Sequence, residues 1–251
     1  MPVRGTISMW KSTRMIVLVA VVAAVYATAQ ITLNPFSLVL IPAVLEFKMA
    51  NVLTMLLGVL FGPAGAWGVA IGNAVGDLFT GNLALGSVFG FFSSFSVAYV
   101  GYTLWRRFRP ESREADRPLP DLSAVVIYLA IGLVAATVAA VVLAWGLNLL
   151  GIAPFRLVSN TLVANFAVGS WIGAVLYSLV ANRLTAMGLT WTEILEPVDS
   201  GWPAHAMLGA LLVTVGGFGG WLLGAFVLPE ASITPVVGFF FACIVAGCLL
   251  L

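Results

Sequence analysis

Asn73 and Asp77 stand four residues apart in the apolar stretch "GVAIGNAVGDLF". Residues at that spacing share one face of a helix, so an amide and a carboxylate look the same way. An ionisable group at membrane depth is costly and points to a substrate, an ion or a partner. Glu46 and Lys48 lie in the loop before this run, Asn34 and Asn51 bracket that loop, and Asn82 follows Asp77. Farther along, Asn148, Arg156, Asn160 and Asn165 gather at the ends of two later apolar runs, with Trp145 and Phe155 near Arg156. Amides, a carboxylate and a guanidinium read hydrogen-bonding edges, and aromatic faces stack on flat rings. The candidate substrate residues are therefore Glu46, Asn51, Asn73, Asp77, Trp145, Arg156 and Asn160. So few charges suit a neutral or zwitterionic ligand. The plainer reading makes these residues helix caps and solvated loop groups, with Trp145 and Phe155 as interfacial anchors.

Other chemistries find less support. His205 is the only histidine, and it opens an apolar run, where a solvated or headgroup role suits it. Ser93, Ser94 and Ser96 have no histidine at their depth and no nucleophile-elbow motif. Neither a zinc-protease helix motif nor a phosphate-binding loop occurs. Transport driven by ATP would need a separate motor. Cys243 and Cys248 lie five apart, off a common helix face, and read as small apolar residues. No metal-ligand spacing occurs, and nothing requires a cofactor.

The elements that must position these residues follow from composition. Of 251 residues, 61% are hydrophobic and 8% charged, with mean hydropathy +1.10, whereas soluble domains carry about 25% charged residues. Repeated long apolar runs predict an all-α, polytopic integral membrane protein. The net charge of +1 gives no reason to expect nucleic acid. Eight apolar segments can be drawn: 15–33, 50–61, 64–79, 83–105, 122–147, 157–181, 204–228 and 233–251. The second and third are too short to span about 30 Å of hydrocarbon comfortably. Gly62-Pro63-Ala64-Gly65 between them predicts a helical hairpin that spans a thinned region or re-enters.

Arg4, Lys11, Arg14, Arg106, Arg107, Arg109, Arg113, Arg117 and Arg183 then fall on one side, leaving Lys48 and Arg156 on the other. The positive-inside rule places both termini in the cytoplasm of a multi-pass plasma-membrane protein. Ala27-Thr28-Ala29 resembles a signal-peptide cleavage site, but the apolar stretch runs on to Leu33, which suits a retained helix. "TWTEILEP", within the stretch 184–203, suits a short interfacial helix, and Pro203 suits the first turn of the next helix.

Small residues four apart let helices approach closely. They occur at Gly68, Gly72 and Gly76, at Gly86 and Gly90, at Gly169 and Gly173, and at Gly216, Gly220 and Gly224. In the first segment Ala20 pairs with Ala24, and Ala23 with Ala27. Most such pairs serve internal packing. The alanine face of the first segment is the best candidate for docking a partner.

"LFGPAGAW", "GNAVGDLF", "GSVFGF" and "AVVAAVYATA" together resemble the substrate-binding S components of energy-coupling factor (ECF) transporters, most nearly the queuosine-precursor group. The resemblance is strong over 20–107 and weaker to 183. It implies a six-helix core that binds a vitamin or related micronutrient near the outer face, beneath the loop joining the first two helices. It also implies partners, namely a transmembrane coupling protein and a pair of cytoplasmic ATPases. Ala20, Ala23, Ala24 and Ala27 would form the docking face, and the loaded subunit would topple to release substrate inside. The expected organisation is a core at 1–183, an interfacial segment at 184–203 and an added helix pair at 204–251. The pair departs from the six-helix pattern. Two rival functions are a standalone ion-coupled transporter with Asp77 as coupling carboxylate, and a membrane scaffold or enzyme without a small ligand.

Overall fold

In hydrocarbon every backbone polar group must find its partner within the protein, which leaves long apolar runs little choice but helix. The computed structural model describes residues 7, 9–33, 38–41, 45–108, 122–190 and 202–251, with only the backbone at 38–41 and 45–47. Seven of the described helices are long and apolar enough to cross a membrane. They are α1 (Thr13–Leu33), α2 (Asn51–Phe79), α3 (Leu85–Phe108), α4 (Leu122–Leu149), α5 (Phe155–Ala186), α6 (Ala204–Leu222) and α7 (Glu230–Leu250). A π-helical turn, Leu223–Val227, ends α6. Pro154, Pro203 and Pro229, all extended, precede α5, α6 and α7.

Helix α2 holds two of the eight apolar segments. Gly62 sits at φ 55° and ψ −127°, a region essentially reserved for glycine. A methyl group on Gly65 would strike the Leu57 carbonyl oxygen, although eight residues of straight helix cover about 12 Å. The chain therefore doubles back at Gly62, and Pro63 occupies the first turn of the second limb, where its missing N–H costs nothing. The expected helical hairpin is present, formed by limbs 51–61 and 63–79.

Contacts fix the directions. Val22, Tyr26 and Gln30 of α1 meet Gly68, Gly72 and Gly76 in that order, so α1 and the second limb run parallel. Helix α3 opposes that limb, with Trp67 on Phe95 and Asn73 near Gly90. Helix α4 opposes α3, with Ser93 bonded to Ala139 and Trp105 against Tyr128. Helix α5 opposes α4, with Tyr177 against Tyr128 and Ser170 against Gly132. Gly217 and Gly220 set α6 on Val138 and Val141 of α4, and α7 returns along α6. The starts of α1, α4 and α6 thus share one face with the ends of α3, α5 and α7. Lys11, Arg14, Arg106, Arg107 and Arg183 mark that basic face.

The opposite face carries an addition to the all-α plan. Leu38–Ile41 (β1) pairs antiparallel with Leu45–Phe47 (β2), Val39 facing Glu46. The branched and aliphatic residues here suit a short ladder. After β2 the chain dips inward. The Lys48 N–H donates to the Asn165 side-chain oxygen at 2.7 Å, roughly 15 Å along α5 from its start. That descent explains the short first limb: the loop supplies the rest of the depth.

The interfacial helix expected in "TWTEILEP", together with Asn34, Arg4, Arg109, Arg113 and Arg117, lies outside the described residues.

Candidate substrate site

The glycine ladder of α2 brings polar side chains of α1 onto both of its limbs. Gln30 is 4% exposed, and its Nε2 donates to Asp77 Oδ1 at 2.9 Å. Its amide lies flat over Gly76, where a methyl group would come within 2.5 Å of the Gln30 Cδ. One turn earlier, Tyr26 shares a hydrogen bond of 3.2 Å with Thr54 on the first limb. A methyl on Gly72 would come within 2.7 Å of the Ala23 carbonyl oxygen, so the helices meet backbone to backbone.

Asn73 and Asp77 are both half-buried. The Asn73 amide nitrogen lies 3.3 Å from where a β-carbon on Gly90 would sit, so the missing side chain admits it against α3. The Gln30 carbonyl oxygen is buried without a hydrogen-bond partner among the described residues. Gln30 and Asp77 therefore form a bonded polar pair in the half of the protein nearer the loop face, with Asn73 one helical turn from Asp77. An acidic side chain accepts and does not donate, which identifies the Gln30 group facing Asp77 as its NH2.

A second group anchors the loop. Asn165, 4% exposed, accepts from Lys48 and donates to the Thr161 carbonyl at 3.1 Å. Asn51, 6% exposed, opens the first limb, and its backbone carbonyl lies against Gly169. Glu46 pairs through its backbone with Val39; its side chain lies outside the described residues.

The remaining substrate candidates are engaged elsewhere. The Trp145 indole N–H donates to the Thr234 carbonyl at 2.9 Å, and its ring stacks on Phe241 at 4.6 Å. Arg156 pairs with Glu230 at 3.4 Å and donates to the Leu228 carbonyl. Asn160 accepts from Trp221 at 2.8 Å, and Asn148 from Thr234 at 3.1 Å. These four side chains hold α6 and α7 against α4 and α5. The expectation that Trp145, Arg156 and Asn160 share one cluster with Asn73 and Asp77 is corrected on this point: their polar groups bond to the C-terminal pair. A sequence window cannot show that two helices absent from the six-helix pattern would claim them.

The alanine face also divides. Ala20 and Ala24 are exposed on α1 beside Val17, Val21 and Val25, whereas Ala23 is half-buried and Ala27 is buried. Among the described residues, apolar recesses open between the helices. One, of about 480 Å³, lies beside Ala74, Leu85 and Phe91. Another, of about 380 Å³, lies between Val25, Leu57 and Val180.

A family profile described as QueT transporter matches residues 16–191. The chain belongs to the QueT transporter family. It is a multi-pass membrane transporter protein, and the match contains Gln30, Asn73, Asp77 and Asn165 but stops short of α6 and α7. Comparison with curated proteins and with solved structures gave no match. Within this family frame, Gln30, Tyr26 and Thr54 are the polar residues that the sequence reading passed over. Gln30 carried a signal: it is an amide in the last turns of an otherwise apolar helix.

Proposed function

We propose that this chain is the substrate-capturing membrane subunit of an ECF-type uptake transporter for a queuosine precursor, a compound of the 7-deazaguanine class. The supporting observation is the Gln30–Asp77 pair with Asn73 one helical turn away, which places hydrogen-bonding capacity inside the family-matched region, beside the helix from which the loop departs. The basic face carries most of the described cationic residues, so the positive-inside rule makes it cytoplasmic and turns the loop face outward. Substrate then enters from outside, with β1 and β2 over the site and Asn165 holding the chain just after β2. Glu46 and Asn51 belong to this loop-side lining. The six-helix core comprises α1, both limbs of α2, α3, α4 and α5. The C-terminal pair buttresses α4 and α5 from the side.

In this reading energy comes from partners, a transmembrane coupling protein with two ATPases. Ala20 and Ala24 present a flat, small-residue strip on which such a partner can lie closely. Ala23 and Ala27 act indirectly, by seating α1 on α2.

The test uses the purified full chain in nanodiscs and in vesicles. Calorimetry should show saturable binding of 7-deazaguanine compounds. Vesicle uptake should require the coupling protein and ATP hydrolysis. Binding without any need for ATP or partners, with uptake following an ion gradient, would instead support a standalone carrier in which Asp77 couples the ion. Absence of binding would overturn the substrate assignment.

A further inference from the structure

We propose that Gln30 and Asp77 together read the amino-pyrimidinone edge of the substrate, Gln30 as the positioning residue and Asp77 as the contact. This deepens the function proposed above and rests on it. A carboxylate offers about four acceptor positions on its two oxygens. Gln30 occupies one of them on Oδ1, which fixes the orientation of the group, and Oδ2 accepts no hydrogen bond among the described residues.

The same hydrogen bond turns the Gln30 carbonyl oxygen away from Asp77, and that oxygen is buried, with no hydrogen-bond partner among the described residues. Leaving such an acceptor unmet is unfavourable. The cost is built in, because the amide is pressed onto Gly76 and any side chain there would collide with it. Asn73 adds an NH2 donor one helical turn away, where residues four apart are surface neighbours.

Among the described residues, the inventory left for a ligand is therefore two adjacent acceptor positions on a carboxylate and one amide donor. A neutral 2-amino-pyrimidin-4-one ring supplies the complement. Its ring N–H and exocyclic NH2 point the same way and can meet a carboxylate with two parallel bonds, as a guanidinium does. The ring carbonyl accepts from Asn73. A ring without the amino group leaves one carboxylate acceptor position unpaired, and a site built for hydrogen bonds rejects such an analogue strongly.

The experiment compares 7-deazaguanine with 7-deazahypoxanthine, which lacks the 2-amino group, by calorimetry on the full chain. Wild type should bind the amino compound about 10–150-fold more tightly, the range for hydrogen bonds to a charged group. Asp77→Asn should reduce that ratio to within about twofold, and Gln30→Met should reduce it part-way. Equal binding of both compounds by wild type would overturn the edge-reading proposal while leaving the proposed substrate class standing. Binding of neither would overturn both. A full ratio in Asp77→Asn would remove Asp77 as the reader. The wild-type comparison needs no variant to fold.

Discussion

Replacing Gly72 by alanine tests the seam on which the candidate site is built. The new methyl group would lie 2.7 Å from the Ala23 carbonyl oxygen and 3.0 Å from the Tyr26 β-carbon. Ordinary carbon–oxygen contacts settle at about 3.3–3.6 Å, so α1 must retreat by about 0.6–0.9 Å. The obstacle is backbone, so no rotamer change relieves it. The Gln30–Asp77 bond is 2.9 Å long, and the same retreat stretches it to about 3.5–3.8 Å, past useful hydrogen-bond range. Overpacking of this kind costs about 1–3 kcal/mol, partly offset by the better helix propensity of alanine, worth about 1 kcal/mol. At about 2–4 °C per kcal/mol the midpoint of thermal unfolding in detergent should fall by several degrees. Affinity for the 7-deazaguanine ligand should fall with it. Gly238→Ala is the control, because its nearest neighbour is the Trp145 side chain at 3.3 Å; it should melt close to wild type. A Gly72→Ala variant with wild-type melting and affinity would refute the backbone-contact account of the seam.

Gly62→Ala forces a side chain into φ 55°, ψ −127° and should destabilise the protein by about 1–3 kcal/mol, seen as a lowered unfolding midpoint. Ala20→Leu or Ala24→Leu should abolish co-purification with the coupling protein while leaving ligand binding and melting unchanged, whereas Ala27→Leu should lower the melting point. Arg156→Ala should change ligand affinity by less than about twofold, since its side chain is 43% exposed and pairs with Glu230, and exposed ion pairs contribute little. Asn165→Ala frees the Lys48 N–H and should speed ligand release in stopped-flow measurements, with an affinity loss of about five- to tenfold for one lost hydrogen bond.

The helical architecture was legible in the chain because hydrocarbon imposes the same requirement on every span. A long apolar run must satisfy its own backbone hydrogen bonds, and the run shows this without its neighbours. The reversal at Gly62-Pro63 was equally local, since one residue can hold a positive φ and the next cannot continue a helix. Asn73 and Asp77 were found by their cost in an apolar run. The small-residue ladders marked close approach but not the approaching partner. Only the folded chain pairs Gly72 with Ala23 and separates the exposed Ala20 and Ala24 from the inward Ala23 and Ala27.

Partnership is what sequence spacing cannot encode. Asn160 and Asp77 look alike as polar residues near helix ends, yet one is held by Trp221 across 61 positions and the other by Gln30 across 47. Which polar group is engaged and which is left open depends on the docking of α6 and α7 against α4 and α5. It depends equally on the parallel seating of α1 on the second limb of α2. By itself the chain determined that helices form, where they reverse and which residues carry polarity into the membrane. Tertiary packing decided which of those polar groups meet, because hydrogen bonds form between atoms brought within about 3 Å, whatever their distance along the chain.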